Sequence, residues 1–454
     1  METNKRIVYF VVGATCIYLL ISFIFIFTGY QSPVFDRVNL VKDLFNDSTR
    51  NNNTSDSSDG PALVIQNSSG SNFDLYQKGH LITNFNADTN QTSLQAFMGK
   101  LYQLKTGKKR KIRIGYFGDS MIEGDLMTQT LRKLLQGYFG GSGVGFVPIQ
   151  SPSQGIRQTV SVSTSKNWDE LNFKNAGKNN HLFFSGYQFN GNNSWVNMQN
   201  RVITDSAALI EKLLFYGNTQ NEPANIQVND RTISISGNQP FNVTTLDNSP
   251  GQSIKLTVND TRIPIYGISF EAASGVIVDN FSFRGISGLE YGNIDSEFLK
   301  SIAASNLYDL IIFQYGVNIL YKPNDIHFNW FANKLMPTMQ HLRSYFPNSD
   351  FMIISTADRA FRYDGTYQSA IGIDSLIKIQ ATVAYKTNCS FYNLYATMGG
   401  KNSIVRWAQA DPSLANKDYV HPNHRGAEVL AGYFFEALLH DYKKYTSHLK
   451  QPNK

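Results

Sequence analysis

Short apolar runs alternate with helically periodic segments through the C-terminal half of the chain, and this alternation constrains the fold more than any single motif. Val276 to Phe283 is strand-like and leads through Gly285-Ile-Ser-Gly288 to a helix around Phe298 to Ala304. Leu310 to Phe313 reads as a buried strand ending at Gly316-Val-Asn318, followed by a helix from about Asn329 to Tyr345. Phe351 to Ser355 is the next strand, with a helix over roughly Gln368 to Lys386; Phe391 to Leu394 is the last strand, and a helix from about Asn423 to Tyr442 closes the series. One further unit stands apart upstream. There Ile112, Ile114 and Tyr116 alternate into a strand that breaks at Gly118-Asp119-Ser120, and Met127, Leu131, Leu134 and Tyr138 then recur at helical spacing up to Gly140-Gly-Ser-Gly143. Strands and helices at this spacing imply an α/β domain, a parallel sheet in three layers with helices on both faces, over residues 81–146 and 272–450.

The stretch 147–271 that divides this domain has another texture. Alternating runs such as Ile226 to Ile235 and Ile254 to Val258 are separated by turn clusters such as Asn229-Asp230, Gly237-Asn238 and Asn248-Ser-Pro-Gly251. That pattern predicts an inserted antiparallel β-sandwich or jelly roll. The 31 Phe and 24 Tyr of the chain fit a sheet-rich protein. Within the insert, Trp168, Tyr187, Trp195 and Tyr216 are candidates for a sugar-stacking platform, set against the commoner role of strand aromatics as core.

Upstream of the folded region, Ile7 to Thr28 is a run of 22 uncharged residues preceded by Lys5 and Arg6. It is long enough to span a bilayer and reads as a signal anchor, a transmembrane helix over 1–29 with its N-terminus in the cytoplasm and the remainder of the chain outside it, periplasmic or at the cell surface. A cleaved signal peptide is the rival reading, but the run is long for one and no A-x-A-like site follows. Residues 30–80 are a polar, Asn- and Ser-rich stalk, centred on Asn51-Asn-Asn-Thr-Ser-Asp-Ser-Ser-Asp-Gly60, which cannot bury a core. The two cysteines, Cys16 and Cys389, lie too differently to form a disulfide framework. Charged residues make up 17% of the chain and the net charge is +6, so no dense basic face is available and nucleic acid is excluded as the expected partner.

The chemistry concentrates at the ends of the parallel strands, where an open α/β sheet binds ligands. Ser120, Gly288, Asn318 and the segment Asp418-Tyr-Val-His421 all fall at or just after such ends. A serine hydroxyl becomes a nucleophile when a base takes its proton. His421 serves if Asp418, three residues earlier, holds its other ring nitrogen. An oxyanion then needs preorganised donors, and the backbone amides of Ser120 and Gly288 and the side-chain amide of Asn318 are the candidates. Gly285 competes with Gly288 for that role, Asp119 reads as a turn-stabilising residue, and His424 as a helix start. No spacing of His, Cys or carboxylates suits a metal, and no cofactor is expected.

These residues resemble the four blocks of the SGNH (GDSL-type) hydrolases: Gly118-Asp119-Ser120 after the first strand, Ile286-Ser-Gly288 after the second, Gly316-Val-Asn318 after the third, and Asp418-x-x-His421 before the last helix. The third block of the family continues with Asp, where this chain has Ile319. The resemblance implies the flavodoxin-like SGNH fold, Ser120 as nucleophile, Asp418 and His421 as its acid and base, and Ser120, Gly288 and Asn318 as the oxyanion hole. An extracytoplasmic SGNH domain split by a β-rich insert is further similar to bacterial peptidoglycan O-acetylesterases, whose insert resembles a carbohydrate-binding module. The expected function is therefore a serine esterase removing O-acetyl groups from a cell-wall or surface glycan through an acyl-enzyme. A glycan O-acetyltransferase using the same serine and a non-catalytic glycan-binding protein on a hydrolase scaffold are the alternatives.

Overall fold

The computed structural model describes residues 73–85, 91–202, 209–220, 222–305 and 307–450. The expected anchor over Ile7–Thr28 and most of the stalk lie outside the described residues. Among the described residues no helix is long and apolar enough to cross a membrane.

Strands are numbered in chain order. β1 (Ile82–Thr83) and β2 (Lys111–Gly118) are followed by β3 (Gly145–Pro148), β4 (Val160–Thr164), β5 (Trp168–Asn172), β6 (Tyr187–Gly191), β7 (Ser194–Asn200), β8 (Ile210–Tyr216), β9 (Ala224–Val228), β10 (Arg231–Ile235), β11 (Asn242–Ser249), β12 (Ser253–Val258) and β13 (Ile265–Ala272). Then come β14 (Gly275–Ser282), β15 (Leu310–Gln314), β16 (Asp350–Ile354), the hairpin β17 (Ala360–Tyr363) and β18 (Thr366–Ser369), and β19 (Ser390–Tyr392).

One sheet has the order β1-β19-β16-β15-β2-β14. Its last five members are mutually parallel, and β1 adds an antiparallel edge against β19. Counted along the chain, the parallel strands run 2-1-3-4-5 across the sheet, the flavodoxin-like order, which puts the topological switch point between β2 and β15. Both faces are covered, which is why these strands read as continuous apolar runs. Ile112, Ile114 and Tyr116 of β2 pack with Phe97 and Leu101 of the helix Gln95–Lys105, Leu131 and Leu135 of Thr128–Phe139, and Leu430 and Phe434 of His424–Lys450. Phe117 of the same strand faces the other way, into the core built with the helices Ser296–Ala304, Asn329–Tyr345 and Ile373–Lys386.

Strands β3 to β13 make two antiparallel sheets, β10-β9-β12-β7-β4 and β11-β8-β13-β6-β5, with β3 added beside β13. β7 shows strict alternation of buried and exposed positions, so one face of its sheet is solvated. Val196, Met198, Ile226, Leu256 and Val258 from that sheet share a core with Phe189, Leu214, Ile265 and Ile268 of the other, as in a sandwich. Trp168, Tyr187 and Tyr216 belong to this core, at 7%, 5% and 3% exposure; of the four aromatics considered as a stacking platform, Trp195 alone faces solvent. An aromatic fills more of a sandwich interior than any other side chain, and packing claimed these three.

A buried ionic cluster fastens the sandwich to the parallel sheet. Arg113 of β2 donates through Nε to Asp279 of β14 at 2.7 Å and through Nη2 to Ser269 of β13 at 2.9 Å, and its Nη1 meets Glu271 of β13. Asp279 also accepts from the amide of Phe146 in β3 at 2.8 Å. Burial works against the Arg113 charge, but Asp279 and Glu271 more than offset this and hold the guanidinium protonated.

Two local expectations are revised. The helix expected from about Gln368 begins at Ile373, because residues 360–369 fold as the β17–β18 hairpin, with Asp364 and Gly365 at positive φ in its turn. The final helix runs past Tyr442 to Lys450.

Candidate active site

β2 ends at Gly118, a position where backbone approach is tight. An added Cβ would lie 2.8 Å from the Ile122 side chain and 3.2 Å from the Gln314 carbonyl. Asp119 follows as a cap: its Oδ1 accepts from the Met121 amide at 3.0 Å, which starts a 3-10 turn over Ser120–Asp125. Ser120 therefore opens a short 3-10 turn, and the α-helix whose periodicity starts at Met127 begins at Thr128.

The intervening segment is held in unusual backbone geometry, with φ of 69° at Gly124, 69° at Asp125 and 61° at Met127. Buried charges fix it. Asp125 receives Arg132 through Nη1 at 2.7 Å and Nη2 at 2.9 Å, together with the hydroxyls of Thr128 and Thr159 at 2.7 and 2.5 Å. Burial pushes the Asp125 carboxyl up, and the Arg132 and Arg157 guanidiniums overcome this and hold it far below the usual carboxylate range. Asn280 of β14 donates to the Ile122 carbonyl at 2.8 Å, and Arg284 pairs through Nε with Glu123 at 2.8 Å. The loop carrying Ser120 is thus tied to β14 and to the loop that leads to Gly288.

The loop Asp418–His421 arrives from the other side. Ser120 Oγ lies 2.8 Å from His421 Nε2, and His421 Nδ1 lies 2.7 Å from Asp418 Oδ2. Asp418 Oδ1 accepts from the amides of Val420 and His421 at 3.0 and 3.1 Å. That wrapped turn places Tyr419 at φ 56°, a left-handed conformation rare for a bulky side chain. Partial burial raises the Asp418 carboxyl, but the bonds from the His421 ring and from the two amides outweigh it and leave it below its ordinary value. An ionised carboxylate on Nδ1 leaves Nε2 as the ring's basic atom, facing the serine. Three residues separated by up to 301 positions in sequence form one hydrogen-bonded series.

Around the serine, Asn318 donates from Nδ2 to Asp119 Oδ2 at 3.0 Å and to the Ile286 carbonyl at 2.9 Å. It brackets the loops after β2 and β14, and both of its amide hydrogens are engaged; sequence reasoning had that amide free to meet an oxyanion. Asp119 is fully buried, and burial pushes its carboxyl up to about 7, reinforced by Glu123 and opposed by the Met121 amide. Gly288 has φ 87° and caps the 3-10 turn Leu289–Asn293; an added Cβ would lie 2.8 Å from the Tyr315 ring. Gly285 also has positive φ, 81°, but nothing crowds it. His424 is the exposed first residue of the last helix. Among the described residues, no group of three or more His, Cys, Asp or Glu side chains is placed to hold a metal ion.

With this geometry in view, the comparisons with known proteins divide sharply. No protein-family model and no curated protein sequence matches the chain. Solved structures do. A peptidoglycan O-acetylesterase aligns over 80% of this chain and 99% of its own, at 22% identity and a TM-score of 0.67. The two share a fold. A family two carbohydrate esterase from Cellvibrio japonicus aligns over 63% of this chain and 98% of its own, at 8% identity and a TM-score of 0.27. An acetyl xylan esterase covers 36% of this chain and 81% of its own, at 15% identity and a TM-score of 0.28. The fold likeness is carried by the first of these, and it extends into the sandwich, since 80% of this chain is more than residues 81–146 and 272–450 hold.

Sequence reasoning missed Arg359, whose Nη1 donates to the Val317 carbonyl at 2.6 Å, and the ring pair Tyr367 and Tyr419, stacked at 4.0 Å on the loop of Asp418 and His421. A signal existed for both. Arg359 lies just past the C-terminal end of the fourth parallel strand, and Asp364-Gly365 marks the hairpin that carries Tyr367.

Proposed function

We propose that the chain is a serine esterase that removes O-acetyl groups from a cell-wall or surface glycan through an acyl-enzyme, and that Ile7–Thr28 anchors it with this site outside the cytoplasm. The hydrogen-bonded series Ser120, His421, Asp418 carries this reading. Ser120 Oγ attacks the acetyl carbonyl and passes its proton to His421 Nε2, while the Asp418 carboxylate stabilises the imidazolium. The oxyanion is met by the amides of Ser120 and Gly288, and by Asn318 Nδ2 when it releases the Ile286 carbonyl. His421 returns the proton to the departing sugar oxygen. Water, deprotonated by the same imidazole, then attacks the acetyl-serine and releases acetate. The shared fold with a peptidoglycan O-acetylesterase supports a glycan as the alcohol component.

Acetate release from O-acetylated peptidoglycan, measured with the full chain and with Ser120→Ala, tests the assignment. The variant is expected to lose on the order of 10³-fold or more in kcat/KM. Undiminished turnover by Ser120→Ala would sink it. Acetyl transfer to an added glycan acceptor in preference to water would replace the esterase by an O-acetyltransferase.

A further inference from the structure

The inserted sandwich touches the nucleophile's turn directly. Between β3 and β4 its chain runs past that turn, and there Thr159 donates from Oγ1 to Asp125 Oδ2 at 2.5 Å. Arg157 donates from Nε to the same hydroxyl at 3.1 Å and holds Nη2 3.4 Å from Asp125 Oδ2. Ile156 completes the contact, since a Cβ added at Gly124 would lie 2.9 Å from its side chain. Three residues of the insert therefore bear on the last two residues of the 3-10 turn that Ser120 begins.

On the side of the parallel sheet, Arg132 and Thr128 hold Asp125, and Asn280 Nδ2 bonds both the Thr128 hydroxyl at 2.7 Å and the Ile122 carbonyl at 2.8 Å. The turn is gripped from two sides. A non-glycine residue at φ 69°, as Asp125 is, persists in so sparsely populated a conformation only where its surroundings over-determine it. Two simpler roles for Thr159 are already filled by other residues. Arg132 alone meets both oxygens of Asp125 and keeps its charge paired, and Arg113, near the start of β2, fastens the sandwich to Asp279 at the opposite end of the strand from Ser120. What Thr159 and Arg157 add is placement of the turn.

We propose that Thr159 and Arg157 are positioning residues for Ser120, acting through Asp125, so that the inserted sandwich is part of the catalytic apparatus toward any ester, with or without a sugar attached. The proposal rests on the esterase reading of Ser120. A nucleophile displaced by a fraction of an ångström from its base loses rate while the binding of a small substrate is largely kept.

The test uses the full chain with p-nitrophenyl acetate, which offers no sugar to bind, and with a fluorophosphonate that labels an activated serine. Thr159→Val keeps the shape and removes the donor; kcat should fall on the order of tenfold with KM within about twofold, and the labelling rate should fall with kcat. Thr159→Ser, which restores the hydroxyl, should recover most of both. Arg157→Gln should lower kcat by about threefold or more, and it decides the matter where Thr159→Val does not fold. Ser269→Ala loosens the same sandwich at the Arg113 cluster, and should lower the melting temperature while kcat stays within about twofold. An unchanged kcat in Thr159→Val, a rise in KM alone, or an equal loss of kcat in Ser269→Ala overturns the positioning role. Neither turnover nor labelling by the unaltered protein overturns the esterase reading and this role with it, whereas turnover that the Thr159 and Arg157 variants leave intact overturns the role alone.

Discussion

Asn318 donates to Asp119 across 3.0 Å, a side-chain bond between residues 199 positions apart that joins the two strands flanking the switch point of the sheet. Its second bond, to the Ile286 carbonyl, extends the bracket to the loop of Gly288. Asn318→Ala removes both the bracket and the amide that can turn to an oxyanion. The expected result is a fall in kcat of about 10²–10³ with a smaller change in KM. A selective rise in KM would show that the amide acts on substrate binding alone.

Asp119 gives the protein a pH dependence of known sign. Its carboxyl is raised from near 3.8 to about 7, so between those values the folded state holds a proton that the unfolded state has released. Its contribution to stability therefore declines as pH rises through that window, and above about 7 the decline is complete. Asp119→Asn cannot titrate. Melting temperatures measured at several pH values should show the variant gaining relative to the unaltered protein as pH rises from 4 to 8, against a constant offset from the acceptor it loses. A difference independent of pH would show that the carboxyl is not raised.

Asp418 behaves oppositely. Its carboxyl lies below its ordinary value, so the stabilisation it supplies is present above the unfolded value and lost as pH falls through the folded one. It remains ionised throughout the neutral range. Asp418→Asn keeps an acceptor but removes the charge that stabilises the imidazolium, and kcat should fall by roughly 10³–10⁴. Steady-state kinetics with a small acetyl ester would show this, and an effect under tenfold would remove Asp418 from the catalytic series.

The two candidate glycines can be told apart by one methyl group. Gly285→Ala meets open space and bears only the left-handed backbone cost, about 1–2 kcal/mol. Gly288→Ala also drives a Cβ to 2.8 Å from Tyr315, shifting the loop whose amide is proposed to meet the oxyanion. Acetate release should therefore drop at least tenfold more in Gly288→Ala than in Gly285→Ala, and the reverse order would assign the oxyanion amide to Gly285.

Arg113 sits among Asp279, Glu271 and Ser269 with 3% exposure. Arg113→Met leaves Asp279 buried without its cation, while Glu271 keeps Lys111 at 2.9 Å, and should cost about 3–5 kcal/mol in urea unfolding. A loss below 1 kcal/mol would show that the cluster is hydrated or relaxes freely.

The parallel sheet was legible because its strands are buried on both faces and its helices are periodic; the helix Asn329–Tyr345 falls where the pattern puts it. Ser120 was legible because Gly-Asp-Ser closes β2; Asp418 and His421 were legible as a motif just before the last helix, although the loop follows the helix Ser403–Gln409 and not, as expected, a strand end. What escaped the sequence depends on distant partners. β1 is two residues long and exists through its pairing with β19, more than 300 positions away. The engagement of Asn318 required knowing that Asp119 and Ile286 converge on it. Trp168, Tyr187 and Tyr216 could not be sorted from Trp195 by type, since alternation marks two faces and only the opposing sheet decides which is covered.

β2 and β14 are hydrogen-bonded neighbours, yet Arg113 and Asp279, whose side chains bond across them, are 166 positions apart, with the whole sandwich between them. Closing so long a detour adds little to the entropy cost of a shorter one, because that cost grows only with the logarithm of length, but it makes the pairing slow. The sandwich must bring its two ends together before the strand that delivers Ser120 gains its outer neighbour. Activity in a refolding reaction should therefore be among the last signals to return, reporting the completed assembly of both layers and not the appearance of either.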